Sequence, residues 1–149
     1  MRTLTIAGGV YHERCIWPDW DQIYGSAGRA AAAVVGHVDM VRLISYVRPD
    51  TRQHFEPYMS AYGVELNAVD APQTMSFEYT HSLSTPAIRP APALIQHLPD
   101  LIGEDDVVLR FGMLESSVRV TARKCVYDPQ SAFSPEDFYK NGSVVESLA

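Results

Sequence analysis

Short apolar segments alternate with amphipathic ones along the first half of the chain. Residues 4–8 and 40–46 are short, mostly apolar stretches, which is typical of buried strands. Between them, the alanine-rich segment 25–37 has high helix propensity. Asp50, whose carboxylate can cap a helix, begins a second helical segment that is stopped by Gly63. The order strand, helix, strand, helix is therefore predicted.

The second half contains more strand-like patterns and several turn signals. Residues 75–83 alternate, with Phe77, Tyr79 and His81 on one face, as in a strand that is antiparallel or at a sheet edge. Further strands are predicted at 64–69, 107–111 and 124–128. Helical structure is predicted at 92–97, at 114–123, after Ser134 and at 143–149, and loops at 11–24 and 86–92.

This alternation of strands and helices predicts one fold class. We expect an α/β domain with a mainly parallel sheet, flanked by helices, and a small β lid. The 149 residues are enough for one domain with a modest core.

Composition narrows the classes of function. The net charge of −6 argues against a general nucleic-acid binder, which normally has a basic face. Neither a signal peptide nor a membrane-spanning stretch is visible, so no membrane partner is expected. Cys15 and Cys125 are far apart and match no zinc or redox spacing. We expect a cytoplasmic protein with Cys125 buried and Cys15 in an accessible loop.

Two glycine-rich segments are the main candidates for chemistry. Gly8 and Gly9 end the first predicted strand, and Gly25-Ser26-Ala27-Gly28-Arg29 opens the alanine-rich helix. Glycine allows positive φ and close approach of a ligand to the backbone. The spacing is neither a dinucleotide fingerprint nor a Walker A loop. A tight turn with close helix packing remains an alternative to a binding role.

The order of these features resembles the ribokinase-like sugar and nucleoside kinases of the PfkB carbohydrate kinase family. That family has a Gly-Gly-x-Gly-x-Asn pattern that cradles the sugar, and here Gly25-Ser26-Ala27-Gly28-Arg29-Ala30 stands in its place. An acidic side chain after the first strand holds sugar hydroxyls in the family, and Glu13 is at the matching position. Asp128-Pro129-Gln130 is similar to the family's Asp-Pro-Asn turn, and residues 74–83 resemble a lid strand.

The resemblance implies a substrate-binding set with some departures from the pattern. It comprises Gly8, Gly9, Glu13, Gly25, Ser26, Gly28 and Arg29. Ser26 replaces a glycine, and Ala30 stands where asparagine is common. Arg29 adds a cation that could meet an anionic group of the substrate or pair with Glu13. Trp17 and Trp20 could stack on a ligand, close a lid or form a dimer face.

The family's catalytic segments have no counterpart in this sequence. Neither the Asn-x-x-Glu segment nor the Gly-Ala-Gly-Asp segment, whose aspartate is the family's catalytic base, is present. We therefore expect residues 1–149 to be a single, incomplete substrate-binding region without catalytic or metal-binding residues. ATP and magnesium belong to the complete family enzyme. For this chain alone, neither cofactor nor kinase activity is expected.

Two further hypotheses stay open. The chain could be a non-catalytic module that binds a sugar or nucleoside or that forms a homodimer, because a half-domain exposes one side of its sheet. If the chain is the binding half of a kinase, a partner chain could supply the missing half. A plain nucleotide-binding α/β domain is the third hypothesis, although the sequence lacks a phosphate loop.

Overall fold

The computed structural model describes all 149 residues, which form ten strands, two α-helices and two short 3-10 helices. The strands are β1 Thr3–Ala7, β2 His12–Trp17, β3 Trp20–Ile23, β4 Met40–Val47, β5 Val64–Asp70, β6 Ser76–His81, β7 Ala87–Arg89, β8 Leu101–Phe111, β9 Val118–Asp128 and β10 Val144–Leu148. The α-helices are α1 Gly25–Ala33 and α2 Pro49–Ala61, and the 3-10 helices are Pro92–Leu94 and Pro135–Asn141. No helix is both long and apolar enough to cross a membrane.

The strands form two sheets. The large sheet has six parallel strands in the order β10-β9-β8-β1-β4-β5. The small sheet has the order β3-β2-β6-β7, with antiparallel pairs at both edges and one parallel pair, β2 with β6, between them. The predicted fold class, a mainly parallel sheet with flanking helices and a small β lid, is confirmed.

Both α-helices pack on one face of the large sheet. Phe55 and Met59 of α2 are fully buried against Leu43 of β4 in one core cluster. Ala27 and Ala31 of α1 belong to the same cluster, and their small side chains bring the helix close to the sheet. The packing therefore explains the alanine-rich sequence of α1.

The connection between β8 and β9 is unusually short for parallel strands. The two strands pair from Leu101 opposite Val118 to Phe111 opposite Asp128, but only residues 112–117 join them. A straight strand of this length would extend about 33 Å. Six linking residues span at most about 25 Å, which is too short to lead from the end of a straight β8 back to a position beside its start. Both strands must therefore bend.

The bend lies near Asp106 of β8. A Cβ at Gly103 would lie 3.8 Å from Cγ1 of Val108, whereas these positions would be about 16 Å apart in a straight strand. The pairing of β8 with β9 is interrupted between Asp105 and Val107, and the pairing of β10 with β9 has a similar interruption between Val145 and Ser147. The second core cluster includes residues of these bent strands, among them Val108, and Phe138 of the second 3-10 helix.

Several local predictions are wrong. Residues 114–123 were expected to be helical, but β9 begins at Val118, and the predicted helix at 143–149 is β10. The expected loop at 11–24 contains the hairpin of β2 and β3, and α1 ends at Ala33 rather than near His37. Cys15 lies fully buried in β2 and not in an accessible loop. Cys125 is buried as expected, and its burial raises the pKa of its thiol to about 11.

Candidate functional site

A cavity of about 120 Å³ opens between the two sheets, and we call it the Glu13 pocket. Its wall comes from the β1–β2 segment, the start of α1, the small sheet and the segments that follow β8 and β9. It is lined by Gly9, Tyr11, Glu13, Ser26, Phe77, Tyr79, Ile88, Gly112, Leu114, Gln130, Ser131, Ala132 and Phe133.

Glu13 is the buried charge of this pocket, with 6% of its surface exposed. Its Oε2 accepts hydrogen bonds from Nη2 of Arg29 at 2.5 Å and from the backbone N–H of Gly25 at 3.3 Å. Burial raises the pKa of the Glu13 carboxyl, and the Arg29 charge and the Gly25 N–H oppose this rise. Oε1 has no hydrogen-bond partner in the protein and is not sealed from solvent, so it is free to accept from a ligand.

The conformation of Gly25 brings its N–H to Glu13. The residue has φ +64°, in the left-handed region that favours glycine. A Cβ here would overlap the carbonyl oxygen of Gly9 and lie 2.8 Å from the backbone nitrogen of Tyr11. The β1–β2 segment and the first turn of α1 thus touch through their backbones, and only glycine permits this contact.

Gln130 joins the pocket from the turn after β9. It has φ +60°, the only positive φ of a residue other than glycine, and its N–H donates to Oδ1 of Asp128 at 2.9 Å. Its Oε1 accepts from Oγ of Ser26 at 2.9 Å, which leaves the two N–H bonds of its amide without a protein acceptor. An uncommon backbone conformation beside a pocket is typical of a residue held for function.

Aromatic rings form much of the remaining wall. Tyr11 stacks on Phe77 of β6 with ring centroids 4.9 Å apart. Burial raises the pKa of the Tyr79 phenol, and the nearby negative charge of Glu13 adds a smaller rise. The pocket thus combines one carboxylate, an amide and several hydroxyls with apolar faces, an arrangement suited to a ring that carries hydroxyls.

The seven residues predicted for the site separate into three groups. Gly9, Glu13 and Ser26 line the pocket, and Gly25 and Arg29 contact the Glu13 carboxylate from outside it. Gly8 and Gly28 lie away from the cavity, where they pack closely. A Cβ at Gly8 would be 2.7 Å from Cβ of Phe111, and one at Gly28 would be 3.2 Å from Cζ of Phe55.

Sequence reasoning missed Tyr11, Gln130 and Phe133 as pocket residues. The turn at Asp128-Pro129-Gln130 and the alternation of Phe77 with Tyr79 were signals for two parts of the wall. The tryptophans do not line the pocket, since Trp17 is 77% exposed and Trp20 packs against Tyr79.

A second buried acid supports the pocket from behind. Tyr11 donates its hydroxyl hydrogen to Oε2 of Glu115 at 2.8 Å, and Glu115 is 3% exposed. Glu115 lies on the segment that joins β8 and β9. Burial raises the pKa of the Glu115 carboxyl, whereas the hydrogen bond from Tyr11 and the nearby His97 oppose the rise. The pair connects the aromatic wall of the pocket to the bent strands.

Replacing Glu115 with glutamine is expected to stabilise the protein at neutral pH. The native carboxyl has a raised pKa, so its protonated form is favoured in the folded state, and stability falls as pH rises from the unfolded pKa near 4.5 to the folded value. Glutamine keeps an acceptor for Tyr11 and removes this loss, which amounts to about 1.4 kcal/mol for each unit of the rise. Urea denaturation across pH 4–8 measures the difference.

Glu104→Gln is the matched control, because Glu104 is exposed on β8. Its denaturation profile should stay parallel to that of the native protein. A Glu115→Gln curve that is also parallel would contradict a buried, pH-sensitive carboxyl at position 115.

Comparison with known proteins finds matches in three-dimensional structure but none by sequence. No protein-family model matches the sequence, and no curated protein matches it. Two solved structures of a pyrophosphate-dependent kinase in the ribokinase family match with a TM-score of 0.52 each and 13% sequence identity. One is a sulfate complex, and the other contains a pyrophosphate analog and myo-inositol.

A third solved structure, a protein from Agrobacterium tumefaciens provisionally assigned as a ribokinase, matches with a TM-score of 0.52 and 12% identity. The matches cover 83% to 85% of this chain but 48% to 59% of those chains. The chain therefore has a ribokinase-like fold and spans about half the length of the solved kinases that it matches.

Proposed function

We propose that the Glu13 pocket binds a small polyhydroxylated ring, a sugar, cyclic polyol or nucleoside, as the acceptor-binding region of a ribokinase-like kinase. The observation that carries this proposal is the buried Glu13 carboxylate, which is fixed at Oε2 and free at Oε1. A carboxylate oxygen accepts hydrogen bonds from hydroxyls more strongly than a neutral oxygen does. The unpaired amide N–H bonds of Gln130 supply donors on the other side.

The charge of the pocket favours a neutral acceptor. Arg29 is the cation nearest to the carboxylate, and its Nη2 is already engaged there at 2.5 Å. An anionic group bound beside Glu13 would meet a negative charge without a free cation. The aromatic rings of Tyr11 and Phe77 can pack against the carbon face of a sugar ring.

The chain contributes binding to this proposal and not the phosphotransfer chemistry. It has no Gly-x-Gly-Asp sequence, and it has no cluster of three or more His, Cys, Asp or Glu side chains that could hold a metal ion. These residues do not fit a magnesium site, and we assign no step to ATP or magnesium. We expect no phosphorylated product when the purified chain is incubated with ATP, magnesium and the ring compounds.

Calorimetry with ribose, fructose, myo-inositol and nucleosides tests the pocket. We expect one of these classes to bind, and Glu13→Gln to weaken that binding roughly 10- to 100-fold, because the strong acceptor is lost. Asp21→Asn is the matched control, since Asp21 is an exposed acid on β3 that pairs with His12. Equal affinity in the native protein and Glu13→Gln would refute the proposed role of Glu13.

A binding or dimerisation module without any kinase role is the second candidate. It is favoured by the exposed apolar residues of the small sheet, where Ile16 is 66% and Trp17 is 77% exposed. Mass measurement in solution separates the two candidates. A stable dimer that binds the ring compound favours the module, whereas a monomer that binds it favours the acceptor-binding region.

A further inference from the structure

Arg110, on the inner side of the bent strand β8, is a buried cation without an acidic partner in contact. Its residue surface is 4% exposed. Its guanidinium carbon lies 4.6 Å from the ring centroid of Tyr127 and 5.0 Å from that of Phe138. The aromatic rings stabilise the charge by cation–π interaction but do not neutralise it.

The hydrogen bonds of Arg110 leave part of the guanidinium unsatisfied. Nη1 donates to the carbonyl oxygen of Phe138 at 3.0 Å and to Oγ of Ser143 at 3.5 Å, and Nη2 donates to Oγ of Ser117 at 3.1 Å. Nε is buried and has no acceptor. All three acceptors are neutral, although a buried charge usually requires a counter-charge. Burial accordingly lowers the pKa of the Arg110 guanidinium.

A cavity of about 340 Å³ lies beside this guanidinium, and we call it the Arg110 cavity. Its polar side chains come from the loop before β8, the end of β8, the β8–β9 connection and the second 3-10 helix. They are His97, Arg110, Ser116, Ser117, Asp137, Lys140 and Asn141.

The fixed charges of the Arg110 cavity leave an excess of one positive charge. Asp137 is the one carboxylate in its lining, and it is held by Nζ of Lys140 at 2.5 Å and by the N–H of Ser134. The positive charge of Arg110 is therefore not balanced by a carboxylate in the lining. This unbalanced positive charge makes the cavity complementary to an anion and unfavourable for a cation.

We propose that the Arg110 cavity is a binding site for a small oxyanion, a carboxylate or phosphate group, held next to Arg110 and Lys140. This site differs from the Glu13 pocket in the sign of its charge, because that pocket contains a buried carboxylate and this cavity a buried guanidinium. The two cavities share Gly112, Leu114 and Phe133 as a common wall. A bound oxyanion neutralises Arg110 and links the 3-10 helix to the bent strands, so it stabilises the folded chain.

Titration of the purified chain with sodium phosphate and, separately, with sodium acetate tests this site against sodium chloride of matched ionic strength. We expect at least one oxyanion to raise the melting temperature above the chloride value. The Nε–H resonance of Arg110 in the NMR spectrum should shift with the same midpoint. A response to phosphate alone assigns a phosphate site, a response to acetate alone assigns a carboxylate site, and a response to both assigns a general oxyanion site.

Lys140→Gln locates the site without removing a core residue, since the side chain of Lys140 is 74% exposed. The variant removes one cation and frees Asp137, so the midpoint should rise about threefold or more. Lys124→Gln is the control, because Lys124 is exposed on β9 outside the cavity. The proposal is overturned if neither oxyanion shifts the Arg110 resonance, if melting rises without that shift, or if both lysine variants titrate like the native chain.

Discussion

Replacing Phe138 with alanine is expected to lower the free energy of unfolding by about 4 kcal/mol. The side chain is fully buried, and its ring packs against Tyr127 with centroids 5.5 Å apart. It also covers one face of the Arg110 guanidinium. Its removal leaves a cavity in the core enclosed by the bent strands, and water or void replaces the ring.

Tyr139→Ala is the matched control for this variant. Tyr139 is the next residue in the same 3-10 helix and packs edge-on against Phe138, but it is 54% exposed. Its truncation should cost about 1 kcal/mol. Urea denaturation of both variants measures the two values. Similar small losses would show that the bent strands do not depend on the 3-10 helix for their core.

The bend in β8 and β9 explains why the C-terminal part of the fold was the hardest to predict. The segment Val118 to Asp128 forms one strand, but a helix was expected over residues 114–123 and a strand only from 124, because parallel strands are usually joined by a helical crossover. The bend at Asp106 removes that need, since it brings the end of β8 back toward its start. Hydrophobic periodicity describes which residues face the core and does not reveal a bend.

The prediction for the N-terminal part agrees with the structure, because the elements there follow simple hydrophobic patterns. The apolar strands β1 and β4 and the helices α1 and α2 are all present. The hairpin of β2 and β3 was missed, because Glu13 occupies an inward-facing position and interrupts the apolar alternation. The buried charge that makes Glu13 a candidate binding residue is also what hides the strand.

The Glu13 pocket could be predicted in part for a related reason. Gly9, Glu13 and Ser26 lie close in sequence, in a region where glycine spacing is a visible signal. Gln130 and Phe133 come from a turn more than a hundred residues later. Only the folded sheet, in which β8 separates β1 from β9, shows that these loops meet.

Gly25→Ala is expected to lower the free energy of unfolding by about 3 kcal/mol and to remove the ring binding proposed for the Glu13 pocket. The residue has φ +64°, so a side chain costs about 1 kcal/mol from backbone conformation alone. The added Cβ would also overlap the carbonyl oxygen of Gly9, which forces the β1–β2 segment away from α1. Glu13 then loses the N–H that holds its Oε2.

Gly36→Ala and Gly63→Ala separate the two effects. Both residues have positive φ, +85° and +73°, but a Cβ at either position has no neighbour within 4 Å. Each control should therefore show the conformational cost of about 1 kcal/mol and retain the proposed ring binding. Urea denaturation and calorimetry on the three variants give the comparison. If Gly25→Ala behaves like the controls, close backbone contact at Gly25 is not what shapes the pocket. A larger loss confined to Gly25 would tie the glycine to both the fold and the binding of the ring.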